Sequence, residues 1–259
     1  MFFNTIVTAL AAASCVAAAP TQKLNARASV PHDSLNPWPE AVRTGTEGDG
    51  IKRFEPTLHI AHGCQPYTAV NEAGDIRLVP VLSISPYPTN AQRSGGLQDT
   101  GSSTGGCRDT GKGQTYVRAK WHNGRFAIMY SWYFPKDHPN SGDVAGGHRH
   151  DWENIVVFID DPAAATPTLI GASASSHSGY TKSDNPQRNG DRVMVEYFTN
   201  FPTNHELQFK TSEGADYALL DWDVMTDAAK QALQNADFGS ANVPFKDGNF
   251  ETKIEEAWV

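Results

Sequence analysis

A chain of 259 residues that is 39% hydrophobic can bury a core as one large or two small domains. Its formal charge of −8 has the wrong sign for nucleic-acid binding, which needs a Lys/Arg-rich face to neutralise phosphates. The same charge opposes plain electrostatic adhesion to anionic lipids, so any membrane recognition must use specific contacts.

The chain opens on "MFFNTIVTALAAASCVAAAP", an uncharged apolar run ending in alanines that a signal peptidase prefers. A signal peptide over residues 1–19, cleaved near Ala19, and a secreted product are expected. No later run reaches the ~18 to 20 apolar residues of a membrane-spanning helix. Residues 20–45 are proline-spaced and lack apolar periodicity, which predicts a flexible lead-in trimmed near Arg27. Cys15 leaves with the signal, so Cys64 and Cys107 remain as an even pair in an oxidising compartment. A disulfide between them would contribute roughly 4 kcal/mol in the chain-entropy account. No Asn-x-Ser/Thr acceptor occurs, so N-glycosylation is not expected.

Strand patterns dominate from there. "FEPTLHIAHGC" (54–64) reads as extended and "GDIRLVPVLSI" (74–84) as β-rich, followed by a Gly/Ser-rich loop over 89–113 tied down at Cys107. "QTYVRAKWH" (114–122) and "RFAIMYSWYF" (125–134) flank the Asn-Gly pair 123–124, the strongest short hairpin signal. Further strands are predicted over 154–160, 168–175, 191–199 and 205–210. One helix follows Thr226 or Asp227, with Gly239 as its stop. The spacing predicts a mainly β single domain, a sandwich or barrel with few helices, and no βαβ units, internal repeat or second domain.

The densest chemistry lies in "GGHRHDWENIVVFID" (146–160). On a regular strand His148, His150 and Trp152 face one way and Asp151 and Glu153 the other. Gly146 and Gly147 break that regularity, so His148 can curl back and join Asp151 and Glu153. Asp137, at the end of the preceding aromatic strand, is placed to complete the set. One nitrogen and three carboxylates suit a hard divalent ion, magnesium or calcium. A His148/His150 pair leans instead toward zinc chemistry. A solvated loop, with Arg149 paired to Asp151 or a neighbour, is the third possibility. No nucleophile elbow, P-loop, dinucleotide fingerprint or HExxH helix is present. Ser173, Ser175, Ser176 and His177 are neighbours in sequence, which is not triad geometry. His59 and His62, flanking Cys64, read as loop residues.

"AIMYSWYFPKD" (127–137) followed by "GHRHDWE", Gly147, His148, Arg149, His150, Asp151, Trp152 and Glu153, resembles the hallmark of the necrosis- and ethylene-inducing peptide-like (NLP) proteins. "LHIAHGCQPYTAVNEAGD" (58–75), "SSHSGY" (175–180), "FPTNHELQ" (201–208) and residues 225–250 also look like family blocks, and two mature cysteines match the one-disulfide type of plant-associated fungi and oomycetes. The resemblance implies a necrosis-inducing domain over 46–259, built as a β-sandwich similar to actinoporins and fungal lectins. It also implies a secreted, non-enzymatic toxin that binds glycosylinositol phosphorylceramide headgroups on plant plasma membranes through peripheral contact, and permeabilises them. A monomer in solution is expected. Carried over position by position, the metal ligands would be Asp137, His148, Asp151 and Glu153, holding one magnesium or calcium ion. His205 would lie beside the sugar site, and Phe201 near where many members place an exposed tryptophan facing the membrane. Two features depart from the family pattern: the connection 138–146, "HPNSGDVAG", is longer and adds His138 and Asp143, and Phe201 replaces tryptophan. The alternatives are a non-cytotoxic elicitor whose central segment a plant immune receptor senses, and a metal-dependent hydrolase using His148, His150 and Glu153.

Overall fold

The computed structural model describes Met1 and residues 30–76, 97–138, 146–200 and 203–259. The expected signal sequence beyond Met1, the β-rich run from 77 onward, Asp143 and Phe201 lie outside the described residues.

Two sheets make the body. The larger has six strands: β2 (Thr115–His122), β3 (Arg125–Phe134), β4 (Asp151–Ile159), β5 (Leu169–Ser176), β6 (Gly179–Ser183) and β10 (Leu219–Asp221). Their order is β10-β2-β3-β4-β5-β6, antiparallel except for β10 on β2. The smaller sheet sets β8 (Arg192–Thr199) at its centre. β1 (Thr57–Ile60) runs parallel to it, and β9 (His205–Phe209) and β7 (Arg188–Asn189) run antiparallel. β9 lies across β5 and β4, and Tyr197 of β8 stacks on Phe134 of β3 with centroids 4.0 Å apart. The architecture is a mainly β sandwich.

The Asn-Gly hairpin forms where expected. Asn123 (φ 46°) and Gly124 (φ 80°) both occupy the left-handed region, as a two-residue turn matching strand twist requires. Both central strands, β3 and β4, are buried almost throughout. Their lack of alternation follows from cover on both faces, by the smaller sheet on one side and by helices on the other.

Three helices lie on the body. α2 (Asp227–Asn235) is capped by the Thr226 hydroxyl, which accepts from the Ala229 N–H at 3.1 Å. It stops at Ala236, whose backbone is extended, so Gly239 is not its terminus. α1 (Thr46–Arg53) and α3 (Phe250–Ala257) carry no strong sequence signal. α1 contains two glycines and is fixed by the burial of Ile51 and by acids at its start and bases at its end. α3 buries Phe250, Ile254 and Ala257, one helical stripe. Among the described residues no helix is long and apolar enough to cross a membrane.

Of the expected lead-in, 20–45, the described part from residue 30 onward is anchored to the body. Leu35 and Trp38 are buried, the Trp38 indole N–H donates to Val70 O at 2.9 Å, and Ala41 pairs with Leu220. Arg43 holds Asp221 at 2.7 Å. An extended segment anchored by single side chains shows no periodicity, which is why it reads as loose in sequence. Cys64 and Cys107 are bonded, with Cα atoms 5.1 Å apart.

Candidate functional site

The site forms where β3 ends and β4 begins. Beyond Phe134 the chain reaches Asp137, whose backbone exchanges two hydrogen bonds with His148, at 2.9 and 2.8 Å. Two residues later His150 takes φ +105°, a conformation that costs a non-glycine residue energy and persists only where its surroundings enforce it. Here Tyr133 enforces it, with its hydroxyl 2.6 Å from His150 Nδ1, and the ring packs edge-on to Phe238 at 5.2 Å. This turn resets the strand alternation, so His148 faces the cleft together with Asp151 and Glu153. His150 points into the aromatic cluster instead.

The cluster is buried and short of positive charge. Asp137 is 1% exposed, and Asp151 and Glu153 are each 7% exposed. His148 Nδ1 uses the His150 backbone oxygen as acceptor at 2.7 Å. Its Nε2 therefore presents the lone pair, 2.8 Å from Asn204 Nδ2 and 3.5 Å from Asp137 Oδ2. Tyr197 donates its hydroxyl to Asp151 Oδ2 at 2.9 Å, and Ser175 donates to Glu153. Burial, and then the neighbouring charge of Asp137, pushes the Asp151 carboxyl up to about 6. Burial, followed by repulsion from Asp151, holds Glu153 well above the usual carboxylate range.

Among the described residues no group of three His, Cys, Asp or Glu side chains is arranged to hold a metal ion. The donor types are nevertheless those a hard cation takes, three buried carboxylates that repel one another and one imidazole nitrogen, the latter engaged by Asn204.

His205 is fully enclosed. Its Nδ1 meets Asp137 Oδ1 at 2.5 Å, its backbone N–H reaches Oδ2 at 3.2 Å, and Nε2 contacts the Thr199 hydroxyl at 3.1 Å. The ring stacks on Tyr197 at 4.6 Å. Gly63 (φ 78°) closes over it, since a Cβ there would sit 2.6 Å from Nε2. With both ring nitrogens engaged by the protein, His205 is built to position Asp137.

Other residues resolve plainly. Ser173 donates to the Ala257 carbonyl at 2.6 Å, Ser175 donates to Glu153, and the His177 backbone N–H donates to Glu206 at 2.8 Å; none of these bonds joins a serine to the His177 ring. His59 pairs with Glu196, and His62 accepts from the Thr199 N–H. His138 packs against Gly147, where an added Cβ would lie 3.1 Å from its Nδ1. Tyr197 and Ser175 support the cluster without any local sequence signal, whereas Asn204 could have been suspected from its place beside His205 in "TNHEL". Above the cluster opens a cleft of about 470 Å³ whose wall also includes Trp152, Asn154, Tyr180 and Lys253.

Residues 48–78 and 85–257 match the family model described as necrosis inducing protein (NPP1). The chain is similar to NLP effector protein 10 of Phytophthora capsici, 44% identical over 262 residues and spanning 100% of this chain and 99% of the relative. It is also 43% identical to necrosis-inducing protein NPP1 of Phytophthora nicotianae, over 88% and 90% of the two chains. Among solved structures, NLPPya in complex with mannosamine superposes with a TM-score of 0.76 at 41% identity, over 90% of this chain and 100% of that one. The non-toxic HaNLP3 protein gives 0.76 at 42% identity, over 88% and 98%.

Proposed function

The chain belongs to the necrosis-inducing protein family, and from that premise we propose that it is a secreted, non-enzymatic cytolysin directed at plant cells. In this reading it binds the sugar headgroup of a glycosylated sphingolipid in the cleft and then permeabilises the membrane. The observation that carries the proposal is a set of three buried carboxylates, Asp137, Asp151 and Glu153, which opens beside the half-buried His148 into a polar cleft. Relatives solved with mannosamine and with glucosamine support a sugar as the occupant.

Asp137, His148, Asp151 and Glu153 would hold one magnesium or calcium ion, which would supply positive charge and coordination positions for sugar hydroxyls. The chain's own residues set the rest. His205 fixes Asp137, Tyr197 fixes Asp151, and Asn204 steadies His148. His205, expected beside the headgroup, thus acts through Asp137. Phe201 would lie against the bilayer interface, where an aromatic ring is favoured. The hydrolase alternative loses one of its three residues, because His150 turns away into the cluster with Tyr133 and Phe238.

Toxicity is a separate matter from the fold, as the similarity to a non-toxic protein makes plain. Dye release from vesicles containing the glycosylated sphingolipid, compared with charge-matched vesicles lacking the sugar, tests both. Wild-type protein should act only on the first, and Asp137→Ala should act on neither. Equal release from both vesicle types would reject sugar recognition.

A further inference from the structure

The bond that steadies His148 also occupies it. His148 Nδ1 has the His150 backbone oxygen 2.7 Å away. A carbonyl only accepts, so Nδ1 carries the ring hydrogen, and Nε2 of the neutral ring keeps a single lone pair. The Asn204 Nδ2 amide lies 2.8 Å from that nitrogen and donates to it. The opposite amide orientation would set the Oδ1 lone pairs against the ring nitrogen's own. That same lone pair is the one through which a neutral imidazole binds a metal ion. One lone pair serves one partner, so amide and cation exclude each other at Nε2.

A braced turn presents the amide there. The Asn204 backbone oxygen accepts from the Asn200 N–H at 3.1 Å, and the Asn200 oxygen accepts from the Thr203 N–H at 2.8 Å. The Asn200 side chain donates to Glu206 Oε1 at 2.6 Å, while Oε2 of the same carboxylate accepts from the His177 N–H at 2.8 Å. Glu206 is buried, so water competes little for these bonds. The bracing uses the Asn204 backbone and not its side chain. Rotation about the side-chain torsions can therefore take the amide off His148 while the turn stays in place. A hydrogen bond between neutral groups is worth about a twofold to tenfold factor in an equilibrium, enough to weaken a competitor and too little to bar it.

We infer that Asn204 is an affinity-setting cap on the cation site: a divalent ion reaching His148 must displace the Asn204 amide. The inference rests on the reading of Asp137, His148, Asp151 and Glu153 as cation ligands. Calorimetric titration of magnesium and calcium into chelator-treated wild type, Asn204→Ala and Asn204→Ser tests it. Nitrogen NMR of the Asn204 side-chain amide and the His148 ring runs alongside. Both variants remove the amide, and the serine hydroxyl is too short to reach Nε2. Each should bind the ion about twofold to tenfold tighter than wild type, the factor of the lost hydrogen bond. In wild type, saturating ion should shift the Asn204 amide and His148 Nε2 signals together, over one titration curve. An asparagine that merely supports the fold would lower the melting temperature of its variants and leave cation affinity where it was or weaken it. Unchanged or weaker affinity in either variant, or an Asn204 amide signal that ignores the ion, would overturn the cap while leaving the cation site standing. A wild type that gives neither heat nor a His148 shift with either ion would instead remove the cation reading and the cap with it.

Discussion

Tyr197→Phe isolates one support of the acidic cluster. The ring sits between Phe134, 4.0 Å away, and His205, 4.6 Å away, and phenylalanine preserves both stacks. What disappears is the hydroxyl that donates to Asp151 Oδ2 at 2.9 Å. A hydrogen bond to a charged group is worth about 1.5 to 3 kcal/mol, and Asp151 remains buried, its other oxygen already accepting from the Trp152 N–H at 2.8 Å. That loss corresponds to roughly a tenfold to hundredfold weaker divalent-cation affinity, the usual effect of removing a group that orients a ligand. The pH dependence follows from Asp151, whose carboxyl titrates at about 6, raised by burial and then by Asp137. Without a cation, a raised carboxyl stabilises the fold below its unfolded pKa, and that stability is lost as pH climbs through about 6. The cation competes with the same proton, so its affinity should rise over the same interval, and Tyr197→Phe should move that rise to higher pH. Calorimetric titration with magnesium and calcium at about pH 5 and about pH 8 measures both effects. Cation affinity unchanged by Tyr197→Phe near pH 8, alongside a lowered melting temperature, would refute the assignment of Asp151 as a ligand.

Three further expectations can be measured independently. Replacing Cys64 and Cys107 with serine should lower stability by up to about 4 kcal/mol, read as a fall in melting temperature, and an unchanged melting curve would mean the bond constrains little. Glu55, raised by burial to about 8 and 3.6 Å from Arg192, should make the wild type progressively less stable between about pH 5 and pH 8. Glu55→Gln should remove that slope, by an amount on the order of a few kcal/mol, in chemical denaturation at several pH values. The central strand β3, which carries the segment expected to be sensed by an immune receptor, is buried almost throughout. Heat-denatured or protease-digested protein should therefore elicit defence responses at lower concentration than native protein in a leaf ethylene assay; equal potency would show that the folded surface is what is sensed.

Much of the fold is local information and is legible in the chain. The Asn123–Gly124 turn, the β3 limits and the Thr226 cap each follow from the conformational preferences of a few consecutive residues, and the even cysteine pair follows from count and compartment. The approach of His148 to Asp151 and Glu153 was expected from the two glycines before it, together with Asp137 as the fourth member. Tertiary structure decided what depends on distant partners. Leu35, Trp38 and Arg43 turn a segment without periodicity into part of the core, because an extended strap is held by scattered anchors and not by a repeat. α1 and α3 exist because Ile51, Phe250 and Ile254 find apolar cover, which short helices need and propensity alone does not supply. His150 was separated from His148 by a positive φ, in a residue packed against Tyr133 and Phe238 from elsewhere in the chain. The chain by itself determined which chemical groups stand at the site; burial between two sheets decided which of them share a cleft, and made their mutual repulsion strong enough to matter.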